Sequence, residues 1–271
     1  RGPRSQTGAR AMSRLSAASA APSGPQGEPL APERMLSRWI LSVLDHLEAL
    51  WHNEANPPQL GHGEPLEGLV LTVLSQNTND RNRDAAFARL KERFASWDAV
   101  VRGGAAQLED AVRPAGLAPT KARHILEILN IVKRDFGEYS IAPLAERGRD
   151  EARRCLIALP GVGAKTAACV LLFDMGLPAF PVDTHVGRIA RRVGFAAERA
   201  PAEDISLLLE RETPPSRYLG GHVNMIEHGR AICRARAPQC GACPLTALCN
   251  FGRALIVSER DAEVRRARAA G

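Results

Sequence analysis

The sequence predicts an all-α protein. Apolar residues recur at helical spacing in stripe after stripe, alternating strand patterns are nearly absent, and proline or glycine turn signals separate the stripes. The first stripe is Leu36, Trp39, Ile40, Val43, Leu44, Leu47 and Leu50. The second is Leu66, Leu69, Val70, Val73 and Leu74, and the third is Ile125, Ile128, Leu129, Val132 and Phe136. Ala167, Ala168, Leu171 and Leu172 follow, then Ile205, Leu208 and Leu209. Pro57-Pro58, Gly103-Gly104, Pro114, Pro119, Pro160-Gly161, Pro178, Pro214-Pro215 and Gly220-Gly221 read as the breaks between helices. No internal repeat is evident.

Composition narrows the class. The 271 residues are 45% hydrophobic and carry a net charge of +6, enough to build a core and to favour a polyanionic partner. No apolar run is long enough to span a bilayer, so no membrane partner is expected. No signal peptide is evident, which predicts reduced cysteines rather than disulfides. Residues 1–30 are rich in Ala, Ser, Gly, Pro and Arg and read as a flexible tail; a transit peptide has a similar composition. Between Glu227 and Glu259 there is no acidic residue, while Arg230, Arg234, Arg236 and Arg253 fall there. The only lysines are Lys91, Lys121, Lys133 and Lys165. In so arginine-biased a chain a lysine invites a chemical reason, since lysine forms Schiff bases and arginine does not.

Four of the six cysteines, Cys233, Cys240, Cys243 and Cys249, stand as C-x6-C-x2-C-x5-C. Four thiolates make one closed metal site. Only Cys240 and Cys243 form the close pair typical of a zinc ribbon, and the wide flanking gaps suit a larger object, one 4Fe–4S cluster. Cys155 and Cys169 lie on helical apolar faces and read as core residues.

A second signature is the glycine hairpin Leu159-Pro160-Gly161-Val162-Gly163-Ala164-Lys165. Gly161 and Gly163 flank one apolar residue, Val162, between helical segments. Such a turn lets the backbone approach a partner closely, and N–H groups at the next helix start bind phosphate without reading sequence. Lys165 sits near that helix start. The helix dipole and a dry cleft both disfavour ammonium, and a drop of ~2 pKa units, worth about 2.7 kcal/mol, raises the neutral amine nearly 100-fold. Asp183 follows 18 residues later, in Val182-Asp183-Thr184-His185 ahead of Arg188. It reads as a helix N-cap, as a carboxylate serving a developing cation, or as both.

These residues resemble the endonuclease III family of DNA glycosylases. The likeness covers about residues 31–252 and rests on LPGVGAKTA, VDTHVGR, HGRAIC, the cysteine spacing and LSQNTND at Leu74 to Asp80. It implies two helical domains with a DNA-binding cleft between them. Residues 58–177 would be a six-helix barrel ending in the helix-hairpin-helix. Residues 31–57 and 178–252 would form the cluster domain, with a C-terminal tail at 253–271. It further implies a monomer that binds double-stranded DNA containing a damaged base or an abasic site, and that flips the base out. Lys165 matches the family nucleophile and Asp183 its carboxylate partner, while Gly161, Val162, Gly163, His185 and Arg188 match DNA-binding positions. Oxidised pyrimidines are the implied lesions. The family glutamine that fills the vacated stack is replaced here by Gln76-Asn77, and Leu117 matches the family's intercalating wedge. Core packing is the plainer reading of Leu117. An adenine mismatch glycosylase shares the hairpin and cluster but lacks the lysine, and a non-enzymatic DNA-binding protein would need neither Lys165 nor Asp183. The implied location is cytoplasmic at the nucleoid for a bacterial protein, or organellar if the tail is a targeting signal.

Overall fold

The structure, a computed structural model, describes residues 32–58 and 63–270. The tail expected over residues 1–30 lies outside the described residues. Twelve α-helices run through them: α1 (Pro32–Leu50), α2 (Pro65–Ser75), α3 (Asp80–Arg93), α4 (Trp97–Val112), α5 (Ala118–Phe136), α6 (Pro143–Glu146), α7 (Arg149–Ile157), α8 (Ala164–Phe173), α9 (Thr184–Val193), α10 (Ala202–Glu212), α11 (Tyr218–Ala231) and α12 (Asn250–Ala270). Short 3-10 turns at Arg113–Ala115, Pro215–Arg217, Cys240–Ala242 and Thr246–Leu248 join them. Among the described residues the sole extended pairing is one isolated bridge between Asn53 and Asn56. The all-α expectation therefore holds.

Helix starts follow their caps. Glu64 accepts from the amides of Leu66 and Glu67 while Pro65 takes the first position of α2. Asn79 caps α3 and Ser96 caps α4 in the same way. Of the two Gly-Gly signals that read as breaks, one interrupts a helix and the other is helical. At Gly104 the backbone leaves the helical region, with φ +70° and ψ −178°, and α4 is two helical stretches joined across a kink, as the Gly103-Gly104 signal predicts. Gly220 and Gly221 lie within α11, and Gly221 is buried. The stretch read as a C-terminal tail is helical as far as Ala270, because α12 continues past the last cysteine.

The chain forms two compact units. One is Gln59–Pro181, with a core that gathers α2 residues Leu66, Leu69 and Val73 against Leu108 of α4, Ile125 of α5 and Val170 of α8. The other joins the segment ending at Pro58 to the chain from Val182 onward. Here α11 packs on α1 and α9, and Ile40, Leu44, Ile189 and Met225 are fully buried or nearly so. No described helix is long and apolar enough to cross a membrane.

Candidate functional site

In the first unit the hairpin joins α7 to α8. Gly161 takes φ +74°, a left-handed conformation, and an added Cβ would lie 2.3 Å from Nδ1 of His124. Gly163 is different: it caps α8 with φ −92°, and an added Cβ would meet nothing within 4 Å. Gly161 and Gly163 are exposed, whereas the Val162 side chain is buried in the core. The hairpin thus anchors itself through Val162 and presents backbone on either side of it. Lys165 is the second residue of α8 and is exposed. Its side chain makes no hydrogen bond or ion pair among the described residues.

The hairpin is tied to the end of α2. Gln76 Nε2 donates to the Gly161 carbonyl at 2.9 Å and to Thr166 Oγ1 at 3.3 Å. The next residue, Asn77, is exposed and left-handed with φ +53°. Leu117, at the start of α5, has φ +49° and is 59% exposed. It is therefore not a core residue. Leucine in a left-handed conformation is uncommon, and exposure gives no packing reward for it.

Sequence reading missed Lys121. It is 2% exposed, and its Nζ donates to the Leu74 and Ala115 carbonyls, both at 2.8 Å. Burial lowers its pKa. The signal was present: Lys121 stands four residues before Ile125, on the apolar stripe of α5, where a surface lysine would not be.

In the second unit Asp183 caps α9, with Oδ1 accepting from the His185 and Val186 amides at 2.9 and 2.8 Å. Its other carboxylate oxygen has no partner among the described residues. Arg188 is committed to structure: Nε donates to the Cys233 carbonyl and Nη2 to the Gly229 carbonyl, each at 2.9 Å. Its Nη2 also lies 3.0 Å from His185 Nδ1, and Gly229 has no Cβ because His185 would be met at 2.7 Å.

Cys233, Cys240, Cys243 and Cys249 line one pocket, together with His228 and Phe251. None of the six cysteines is paired in a disulfide. Donors face the sulfurs: the Gly252 amide lies 3.3 Å from Cys249 Sγ and Arg192 Nη1 lies 3.5 Å from Cys233 Sγ. Arg192, also missed in the sequence, further donates to the carbonyls of Arg234 and Ala235 and stacks 4.6 Å over the Phe251 ring. Burial pushes the Cys243 thiol up to about 11, with the neighbouring thiols adding to the effect. Burial likewise raises Cys240 and Cys249. Burial depresses His228 to about 4. The side chains stand around a pocket; among the described residues no three His, Cys, Asp or Glu groups are gathered for a single metal ion.

A helical protein whose glycine hairpin presents open backbone at a helix start is of the DNA-gripping, helix-hairpin-helix class. Residues 70–215 match the HhH-GPD superfamily of base excision DNA repair proteins, and the chain belongs to that family. It is 35% identical over 190 residues to endonuclease III of Thermotoga maritima, covering 70% of this chain and 84% of the relative. Endonuclease III of Escherichia coli K12 is 31% identical over 210 residues, 77% of this chain and 94% of that one. A putative DNA glycosylase of Arabidopsis thaliana is 38% identical over 168 residues, 62% of this chain, although the match spans only 57% of that relative's length. A solved non-covalent endonuclease III–DNA complex superposes with a TM-score of 0.70 at 31% identity, over 81% of this chain and 98% of that one. The chain is thus a DNA glycosylase of base excision repair with the endonuclease III fold.

Proposed function

We propose that the protein is a bifunctional DNA glycosylase and abasic-site lyase acting on oxidised pyrimidines in double-stranded DNA. The observation that carries this is Lys165: an exposed primary amine without a side-chain partner among the described residues, at the start of the helix behind the hairpin. The Lys165 amine attacks C1′ of the damaged nucleotide and the base departs with the glycosidic electron pair. The sugar ring opens as the nitrogen lone pair forms the C=N bond of a Schiff base. Loss of a C2′ proton then expels the 3′ phosphate, nicking the strand, and hydrolysis of the imine returns the amine. Asp183, with one carboxylate oxygen committed to its cap and the other available, stabilises the cationic sugar and exchanges protons. Gly161 and Gly163 grip the DNA backbone, and Gln76, Asn77 and Leu117 enter the stack as the base leaves.

Cys233, Cys240, Cys243 and Cys249 fit a 4Fe–4S cluster: four soft donors surround one pocket, with N–H groups facing two of the sulfurs. That cluster would supply structure to a basic loop rather than chemistry to the reaction. The protein acts as a monomer.

Borohydride reduction of the enzyme on an abasic-site duplex tests the proposal. It traps a covalent protein–DNA adduct, and Lys165→Gln binds the same duplex without trapping or nicking. Normal adduct yield in that variant rules out Lys165.

A further inference from the structure

Lys121 is 2% exposed, and its two hydrogen-bond partners are both backbone carbonyls. An amine placed there is not serving an ion pair with either partner. Leu74 is the penultimate residue of α2, and Ala115 closes the 3-10 turn ahead of α5. Carbonyls at such ends have no partner within their own helix and take one from elsewhere. The two carbonyls share a further property. Gln76 and Asn77 follow Leu74 by two and three residues, and Leu117 follows Ala115 by two. Both short segments then pass through a left-handed non-glycine residue, Asn77 at φ +53° and Leu117 at φ +49°. Such conformations persist only where the surrounding structure holds them. One ammonium group therefore braces two separate turns, each carrying a residue in an unfavourable conformation.

We infer that Lys121 is a positioning residue for base extrusion: by bridging the Leu74 and Ala115 carbonyls it fixes the separation of the two turns that enter the DNA stack. Without DNA, Gln76 ties the first of these turns to the hairpin through the Gly161 carbonyl. The inference rests on the proposed insertion of Gln76, Asn77 and Leu117, and displacements of about 1 Å at such a site cost up to ~100-fold in rate.

The test uses the full chain and a duplex holding a tetrahydrofuran abasic analogue opposite 2-aminopurine, whose fluorescence rises as stacking is broken. Lys121→Met keeps the aliphatic stem and removes the donors. Its fluorescence amplitude at saturating protein falls by at least about half, while the Kd from anisotropy stays within about threefold of the parent. Lys121→Gln, which restores an NH2 donor on a shorter stem, recovers part of the amplitude; it also carries the comparison if Lys121→Met does not fold. Amplitude that falls only in step with affinity, or does not fall at all, overturns the inference. Leu117→Ala is the control. If it loses amplitude while both Lys121 variants keep theirs, the positioning role is wrong and the wedge stands. If Leu117→Ala keeps full amplitude, the wedge reading fails and the inference falls with it.

Discussion

The Val186 amide donates to Oδ1 of Asp183 at 2.8 Å, so the proposed catalytic carboxylate is also the N-cap of α9. The two roles separate by substitution. Asp183→Asn keeps a capping oxygen and removes the charge. It should leave stability close to the parent and slow base release by ~100-fold or more. Asp183→Ala should lose the same activity and about 1 kcal/mol of stability besides. Chemical denaturation and single-turnover excision measure the two. Equal destabilisation by Asn and Ala would show that the cap is not what holds Asp183.

The hairpin glycines should fail differently. Gly161→Ala places a Cβ against His124 at a left-handed φ, so it should cost about 1 kcal/mol or more in stability. Gly163→Ala puts its methyl into open space at an ordinary φ, so the fold should lose only a few tenths to about 1 kcal/mol through the poorer cap. Its DNA affinity should still fall, since the methyl occupies the room that a phosphate needs. Unchanged affinity for an abasic duplex in Gly163→Ala would remove Gly163 from the interface.

Much of this was legible in the chain. The apolar stripes of α1, α2, α5, α8 and α10 mark those helices because each buries one face on a core. By contrast α3 is so polar that only Ala86 and Leu90 are buried, which leaves too thin a stripe to read. The Gly220-Gly221 signal misled because both residues lie inside α11, where Gly221 is buried. The hairpin, Lys165, Asp183 and the cysteines stand out because their residue types are chemically unusual at that spacing. Lys121 and Arg192 did not, since what they do depends on carbonyls distant in sequence.

Burial lowers the Lys121 pKa, and this has a pH consequence of definite sign. Between the lowered folded value and the ordinary 10.5, the unfolded chain holds a proton that the folded chain has released. Stability contributed at Lys121 therefore rises with pH through that window. The difference in unfolding free energy between the parent and Lys121→Met should increase from pH 7 toward pH 10, with other titrations cancelling in the subtraction. A difference that is flat or decreasing over that range contradicts the burial effect.

Metal content tests the cysteine site. Protein made anaerobically with ample iron should be brown and hold about four irons per chain. Stoichiometric zinc without iron under those conditions would falsify the cluster assignment. Cys240→Ser should lower iron content and loosen the segment that Arg188 and Arg192 fasten at Cys233, Arg234 and Ala235. DNA affinity should then fall more than the rate of nicking at saturating enzyme.

Leu117 gives the sharpest separation of stability from function. Its backbone is left-handed and its side chain is 59% exposed, so the fold gains little from leucine at this position. Asparagine tolerates the left-handed region far better than leucine. Leu117→Asn should therefore match or exceed the parent in stability, by up to about 1 kcal/mol. The same change replaces an apolar wedge with a short polar group, which cannot take the place of an extruded base. Excision of thymine glycol should drop by about tenfold or more, whereas nicking of a preformed abasic site should be less affected, because no base has to be extruded there. Paired thermal melts and single-turnover assays on the two duplexes read both effects. A destabilised Leu117→Asn that excises thymine glycol at the parent rate would assign Leu117 to the fold and take it out of the reaction.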